Sequence, residues 1–219
     1  MIHIYYTKFN KPLPTHTYNN FLNCLPVSLQ EKNLQYRRWQ DRYSHLFGKL
    51  LLLTGLEEFG YKDNILNEIK YDENSRPFID ERIDFNISHS GEYVICAFGK
   101  GIKLGVDIEQ IKEINFDDFK QVMTSEQWKD INQSSNSTRS FFKYWTIKES
   151  VLKADSRGLS IPLLNIHVEN NKVSYDNRTW FLDEIKLDKR YSTFLASNIK
   201  NCNLELRYID FYKFNQNMV

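Results

Sequence analysis

Apolar and polar positions change rhythm along this chain, and each change marks an element. Ile2 to Thr7 is a short apolar run that reads as a first strand, followed by a loop at Lys11 to Pro14. Ser28-Leu29-Gln30-Glu31 has the form of a capping box, with serine at the N-cap and glutamate three residues on. Leu34 and Tyr36 to Trp39 follow. Tyr43, Leu46, Phe47, Leu50, Leu53 and Leu56 then recur at threes and fours, which predicts a buried central helix ending near Gly60. Gly48 and Gly55 inside it each cost about 1 kcal/mol of helix propensity against alanine, so close packing is expected there.

The rhythm then shortens. Ile65 to Tyr71, the turn-rich Asp72-Glu73-Asn74-Ser75 and Arg76-Pro77-Phe78-Ile79 precede Phe85-Asn86-Ile87-Ser88-His89-Ser90-Gly91 and Tyr93 to Phe98. The last two read as a strand, a polar turn holding Ser88 and His89, and a second strand. Gly99 to Gly101 turn the chain into Leu104 to Ile108, completing a β-meander. Thr124-Ser125-Glu126-Gln127 is another capping box, opening a helix through Trp128 and Ile131. After a polar loop at Asn132 to Ser137, a long amphipathic helix runs from about Thr138 to Ala154, with Gly158 and Pro162 in its exit. Ile166 to Val173, Tyr191 to Ser197 and Leu204 to Tyr212 are strand candidates. Helices followed by a meander thus occur twice, near residues 30–105 and 125–212. This predicts an α+β protein of two similarly built lobes, residues 1–104 and 105–219, joined near Gly105 to Lys112, where a site would form.

Charge and cysteine content narrow the function. A net charge of +1 provides no global basic field for nucleic acid, so any polyanion site must be local. Cys24, Cys96 and Cys202 are odd in number and far apart, with neither a disulfide framework nor a zinc spacing, which suits a reducing cytoplasm. Met1 to Tyr6 lacks the basic flank and cleavage site of a signal peptide. The longest apolar run, Leu50 to Leu53, is far too short to span a bilayer.

Two runs carry candidate chemistry. In Gly105-Val106-Asp107-Ile108-Glu109, two carboxylates two residues apart on a strand share a face, opposite Val106 and Ile108. In the helix, Trp145, Glu149 and Lys153 stand at successive i, i+4 positions on one sector. Each has a plain alternative. Alternating acids often form the wet face of an edge strand, and a glutamate beside lysines is usually a surface ion pair worth under about 1 kcal/mol. Together they form a better signal. Three carboxylates on two rigid elements suit magnesium, which takes one or two carboxylates plus substrate phosphates, and are a poor zinc set. The Asn86, Ser88, His89 and Ser90 group offers donors to an anion, or satisfies its own turn. Lys32, Arg37, Arg38 and Arg42 read mostly as a solvated face, with one or two of them, or Arg76, free to meet a phosphate.

The segments Phe85 to Gly91, Gly105 to Glu109 and Phe141 to Ala154, in this order and spacing, resemble those of the 4′-phosphopantetheinyl transferases of the two-lobed, surfactin-synthetase type. Gly158-Leu159-Ser160-Ile161-Pro162-Leu163 resembles the family's segment after the long helix. The resemblance implies a pseudo-dimeric α+β monomer with its active site between the lobes. It implies transfer of phosphopantetheine from coenzyme A to a serine of an apo acyl or peptidyl carrier protein, releasing adenosine 3′,5′-bisphosphate. Carriers of fatty-acid, polyketide, peptide-synthetase and lysine pathways all fit. By motif match, Asp107, Glu109 and Glu149 would hold magnesium, or manganese. Lys148 and Lys153 would contact phosphates or orient Glu149, and Ser88 and His89 would bind coenzyme A phosphates. Arg76 replaces the family's lysine before proline, and Lys32 aligns with a basic residue near the 3′-phosphate. The family's arginine before its Leu-Leu-Gly is missing from Ser44-His45-Leu46-Phe47-Gly48. Arg42 is the nearest arginine, and His45 is the substitute expected.

On this reading Glu149 is the first choice for the base that takes the serine proton, with Glu126 second. Magnesium and Lys153 would stabilise charge on the transferred phosphoryl and leaving phosphate. The carrier would dock near Phe116 to Trp128. Two other readings are a magnesium-dependent phosphodiesterase that needs no carrier, and a binding module whose acids are only a solvated face.

Overall fold

The computed structural model describes residues 1–62 and 64–213, with the side chain of Leu159 outside the description. The last six residues of the expected C-terminal lobe, 214–219, also lie outside the described residues. In chain order the elements are β1 (Ile2–Lys8), α1 (Thr15–Asn23), α2 (Val27–Gln35), α3 (Trp39–Glu58), β2 (Lys70–Tyr71), β3 (Pro77–Phe78), β4 (Ile83–Ser90), β5 (Tyr93–Lys100) and β6 (Leu104–Gln110). There follow α4 (Ser125–Gln133), α5 (Ser137–Asp155), β7 (Val168–Glu169), β8 (Lys172–Tyr175), β9 (Arg178–Glu184), β10 (Tyr191–Ser197) and β11 (Leu204–Tyr208). One sheet has the order β11-β1-β5-β4, a second β6-β10-β9-β8-β7, and β2 and β3 form a small hairpin. The α+β architecture with two sheet-containing lobes is the one the sequence predicts.

Alternation along β5 explains how the lobes meet. Val94, Cys96 and Phe98 face the core under α3, while Tyr93, Ile95 and Ala97 face a second core. That second core also takes Val106 and Ile108 of β6, and Tyr191 and Leu195, so it glues sheet to sheet. β5 is therefore apolar on both faces, with every residue but Lys100 buried. The two glycines of α3 sit where close packing is expected. A Cβ at Gly55 would lie 2.2 Å from the Phe98 ring, and one at Gly48 3.2 Å from Ile87.

Several local expectations are corrected. Ser88 and His89 lie in β4, and Gly91 (φ +55°) makes the turn after it. Ser28 caps nothing. Pro26 occupies the N-cap of α2, and its carbonyl accepts from Leu29 and Gln30 N–H at 2.9 and 3.0 Å. The Thr124 capping box is real, with Thr124 Oγ1 accepting from Gln127 N–H and Gln127 Oε1 from Thr124 N–H. The run Ile166 to Val173 is broken by a hairpin turn at Asn170 and Asn171, both in the left-handed region. β11, within residues 105–219, returns to the first sheet and pairs with β1 in parallel, from Ile2↔Leu204 to Tyr6↔Tyr208.

Candidate active site

β4 and β6 are neighbouring sheet edges, and side chains rather than backbone carbonyls join them. At alternate positions of β4, Asp84 Oδ2, Asn86 Oδ1, Ser88 Oγ and Ser90 Oγ accept from the N–H groups of Leu104, Val106, Ile108 and Gln110, at 2.9, 3.0, 3.3 and 3.0 Å. The polar residues that read as turn chemistry thus satisfy a strand edge about twenty residues away. This seam ties the two sheets along β4 and β6.

The alternation of β6 turns Val106 and Ile108 into the inter-sheet core and leaves Asp107 and Glu109 on the α5 side. Lys153 Nζ donates to Asp107 Oδ1 at 2.6 Å and to Ser88 Oγ at 3.0 Å, and Ser88 Oγ donates to the same carboxylate oxygen at 2.8 Å. Glu109 accepts from Ser90 Oγ at 2.8 Å and from Trp145 Nε1 at 3.4 Å. Glu149, half-buried on α5, makes no side-chain hydrogen bond among the described residues. Burial first, then the Asp107 charge, pushes its carboxyl above the usual range, with Glu109 adding to the rise and Lys153 opposing it. Burial and then Asp107 likewise push Glu109 up, while Ser90, Trp145 and Lys153 pull it down. The structure therefore brings together Ser88, Asp107, Glu109, Glu149 and Lys153, from three elements.

Among the described residues, no three His, Cys, Asp or Glu side chains are gathered into a ready-made metal set. The Lys153 ammonium sits against Asp107, on the side of the cluster that α5 covers. The donor chemistry still fits a hard cation. Three carboxylates face one lysine, and Asp107 Oδ2 is buried with no partner.

The other expected residues fall into two groups. His89 lies near this cluster. Burial and then Lys153 push its imidazole down, and Asp41 and Asp107 pull it up. His45 on α3 is held neutral, lowered to about 4 by burial and then by Lys49, Lys32 and His89, and its Nε2 is buried without a partner. The other ring nitrogen, Nδ1, lies 3.1 Å from Asn33 Nδ2 and accepts from it. Arg42 donates from Nε to the Tyr36 carbonyl at 2.8 Å. Lys32, His45 and His89 thus lie near one another around α2, α3 and the end of β4, while the Arg42 side chain turns to Tyr36. Lys49 joins them, and the sequence reading passed it over. It is one helical turn beyond His45, and burial and then Lys32 push its ammonium down, with Cys96 opposing. Its i, i+4 spacing from His45, inside an otherwise apolar run, was the available signal.

Arg76, Lys148 and Glu126 are elsewhere. Arg76 forms a buried ion pair with Asp84 at 2.9 Å and donates to the Leu104 carbonyl at 2.8 Å, closing the far end of the seam. Lys148 is fully buried and turned away from the acids, because it stands about 100° round the helix from Glu149. Its Nζ donates to the Leu163 and Ile166 carbonyls at 2.5 and 3.3 Å, and burial lowers it to about 8. Glu126 is exposed at the start of α4. The helix N-terminal N–H and Thr124 hold its carboxyl below the usual range.

The sequence pattern of the 4′-phosphopantetheinyl transferase superfamily matches residues 103–202, and that of the 4′-phosphopantetheinyl transferase N-terminal region matches residues 11–100. The chain is 32% identical over 177 residues to 4′-phosphopantetheinyl transferase gsp of Aneurinibacillus migulanus, covering 78% of this chain and 73% of that protein. The chain belongs to the 4′-phosphopantetheinyl transferase family. Members of this family transfer the phosphopantetheinyl group from coenzyme A to carrier proteins. Similarity extends to 4′-phosphopantetheinyl transferase Sfp of Bacillus subtilis, 29% over 164 residues and 73% of each chain. A putative 4′-phosphopantetheinyl transferase of Haemophilus influenzae is 30% identical over 203 residues, 84% of this chain and 83% of that one. The two matched regions meet between residues 100 and 103, just before β6 brings Asp107 and Glu109 to the seam.

Proposed function

We propose that this transferase moves 4′-phosphopantetheine from coenzyme A to a serine hydroxyl of an apo acyl or peptidyl carrier protein, with adenosine 3′,5′-bisphosphate leaving. The observation that carries the reading is the acid–lysine cluster across the seam in a chain of this family. The serine oxygen bonds to the phosphorus that bears pantetheine, and the bond from that phosphorus to the bridging pyrophosphate oxygen breaks. Glu149 takes the serine proton, directly or through water. It is the one acid of the three whose oxygens make no hydrogen bond among the described residues, Asp107 and Glu109 both being bonded to β4 side chains. Glu126, exposed and held below the ordinary carboxylate range, is the weaker choice.

Lys153 lies against both β4 and β6 and stabilises negative charge on the phosphates. Ser88 and His89 meet the pyrophosphate end. Lys32, Arg42 and Lys49 supply cations for the 3′-phosphate, with neutral His45 as a hydrogen-bonding neighbour. Lys148 anchors α5 to the segment after it and so sets how Glu149 is presented. Arg76 secures the seam. Asp107, Glu109 and Glu149 would hold magnesium, or manganese, which when bound neutralises pyrophosphate charge. The active site lies where lobes 1–104 and 105–219 meet. The family resemblance implies that the protein acts as a monomer. Three free cysteines suit a reducing compartment such as the cytoplasm, and no described helix is long and apolar enough to cross a membrane.

The test is to incubate the protein with coenzyme A, magnesium and an apo carrier, and to weigh the carrier. A gain of one phosphopantetheine mass, absent when the carrier serine is alanine, is expected. Coenzyme A cleaved with no gain on any carrier type would make it a phosphodiesterase. No reaction at all would leave a binding module.

A further inference from the structure

Four side chains of β4 bond to the backbone of β6, and they are not equivalent. Asn86 Oδ1 takes the Val106 N–H at 3.0 Å and touches no acid of the cluster. Ser90 does two things. Its Oγ accepts from Gln110 N–H at 3.0 Å and donates to Glu109 Oε2 at 2.8 Å. A hydroxyl has one proton, and with the backbone N–H occupying the acceptor side, that proton is directed to Glu109. The other oxygen of Glu109 meets Trp145 Nε1–H at 3.4 Å. A glutamate side chain free to rotate is thereby held from β4 on one side and α5 on the other. Both donors are neutral, so the carboxylate keeps its charge, and each oxygen keeps a lone pair for a further ligand.

We propose that Ser90 is a positioning residue for the divalent cation. It links the lobe seam to Glu109, so that closure of β4 on β6 fixes where that carboxylate can meet an ion. The proposal rests on the reading of Asp107, Glu109 and Glu149 as ligands. Partners that orient a ligand in this way typically govern metal affinity about 10–100-fold. Asn86 provides the matched control, since it performs the same backbone task four residues earlier without contacting a carboxylate of the cluster.

The experiment titrates Mn2+ into the full chain holding coenzyme A, and reads free ion by electron paramagnetic resonance alongside the thermal midpoint. Ser90→Ala is expected to weaken Mn2+ binding about tenfold or more. Ser90→Thr, which keeps the hydroxyl, is expected to restore most of the affinity. Asn86→Ala is expected to lower the midpoint as Ser90→Ala does, yet to keep wild-type affinity. Wild-type affinity in Ser90→Ala overturns the proposal, as does an equal affinity loss in Asn86→Ala, which would mean that any loosening of the seam suffices. A wild-type protein that binds no Mn2+ overturns it together with the ligand reading beneath it.

Discussion

Glu149 shows at the scale of one residue how a site is built at the expense of stability. Its pKa is raised by burial, by Asp107 and by Glu109, so the charged form is disfavoured in the fold relative to the unfolded chain. The sign follows. Below the ordinary value of 4.5 the group is protonated in both states and has no effect. As pH rises through the raised folded value, stability is lost, and it stays lost at neutrality. Glu149→Gln is therefore expected to raise the thermal midpoint of the metal-free protein at pH 7, with the gain shrinking toward pH 4. The same substitution is expected to lower turnover by at least about a hundredfold, the low end for a positioned base. Near-normal turnover in the carrier mass assay, or a lower midpoint at pH 7, would contradict these roles. The acids themselves were legible one by one, because the period of a strand and of a helix orients side chains locally. The environments that tune them were not, since burial and the Asp107–Lys153 contact join residues 46 apart.

At the scale of elements, the decisive contact is α5 lying on β6. Gly105 permits it. A Cβ there would lie 2.3 Å from the Ser150 carbonyl oxygen and the Ala154 nitrogen, both backbone atoms that cannot swing aside. Gly105→Ala must push the helix off the strand, separating Glu149 and Lys153 from Asp107. Overpacking of this kind costs about 1–3 kcal/mol, and backbone clashes fall at the upper end. A fall of that size in urea unfolding free energy, with activity lost beyond what stability explains, is expected, and an unchanged midpoint would show that α5 tolerates the shift. β6 and α5 were readable from their own rhythms. β4 was misread because asparagine, serine and histidine in succession resemble a turn. α1 went unseen because Thr15–Asn23 is polar apart from Tyr18, Phe21 and Leu22, and no side chain caps it.

At the scale of the whole molecule, the C-terminal strand closes the fold. β11 runs parallel beside β1, and the Arg207–Glu58 pair pins it, with Tyr5 also bonded to Glu58. Beyond it, Ile209 and Phe211 enter the first core, where the Phe211 ring stacks on Phe47 with centroids 4.9 Å apart. Residues near the end of the chain therefore stabilise the lobe that begins it. Phe211→Ala, at a residue 3% exposed, is expected to lower the unfolding free energy by about 3–5 kcal/mol. A loss below about 1 kcal/mol by urea denaturation would mean the first core does not depend on the returning strand.

Sequence alone determined the order of most elements, the two-lobed α+β plan, the shared face of Asp107 and Glu109, the sector of Trp145, Glu149 and Lys153, and the family. The elements and the shared faces depend on residues within a few positions of one another, where the period of the backbone dictates direction; the family rests on the order and spacing of the motifs from Phe85 to Leu163. Tertiary structure alone decided that β4 and β6 are joined through side chains, that Lys148 and Arg76 serve the scaffold, that Lys49 joins the cationic group, and that β11 returns to the first sheet. Each of those outcomes depends on which buried polar group finds a partner far along the chain. An unpaired buried group is costly enough to select that partner, and no local pattern encodes it.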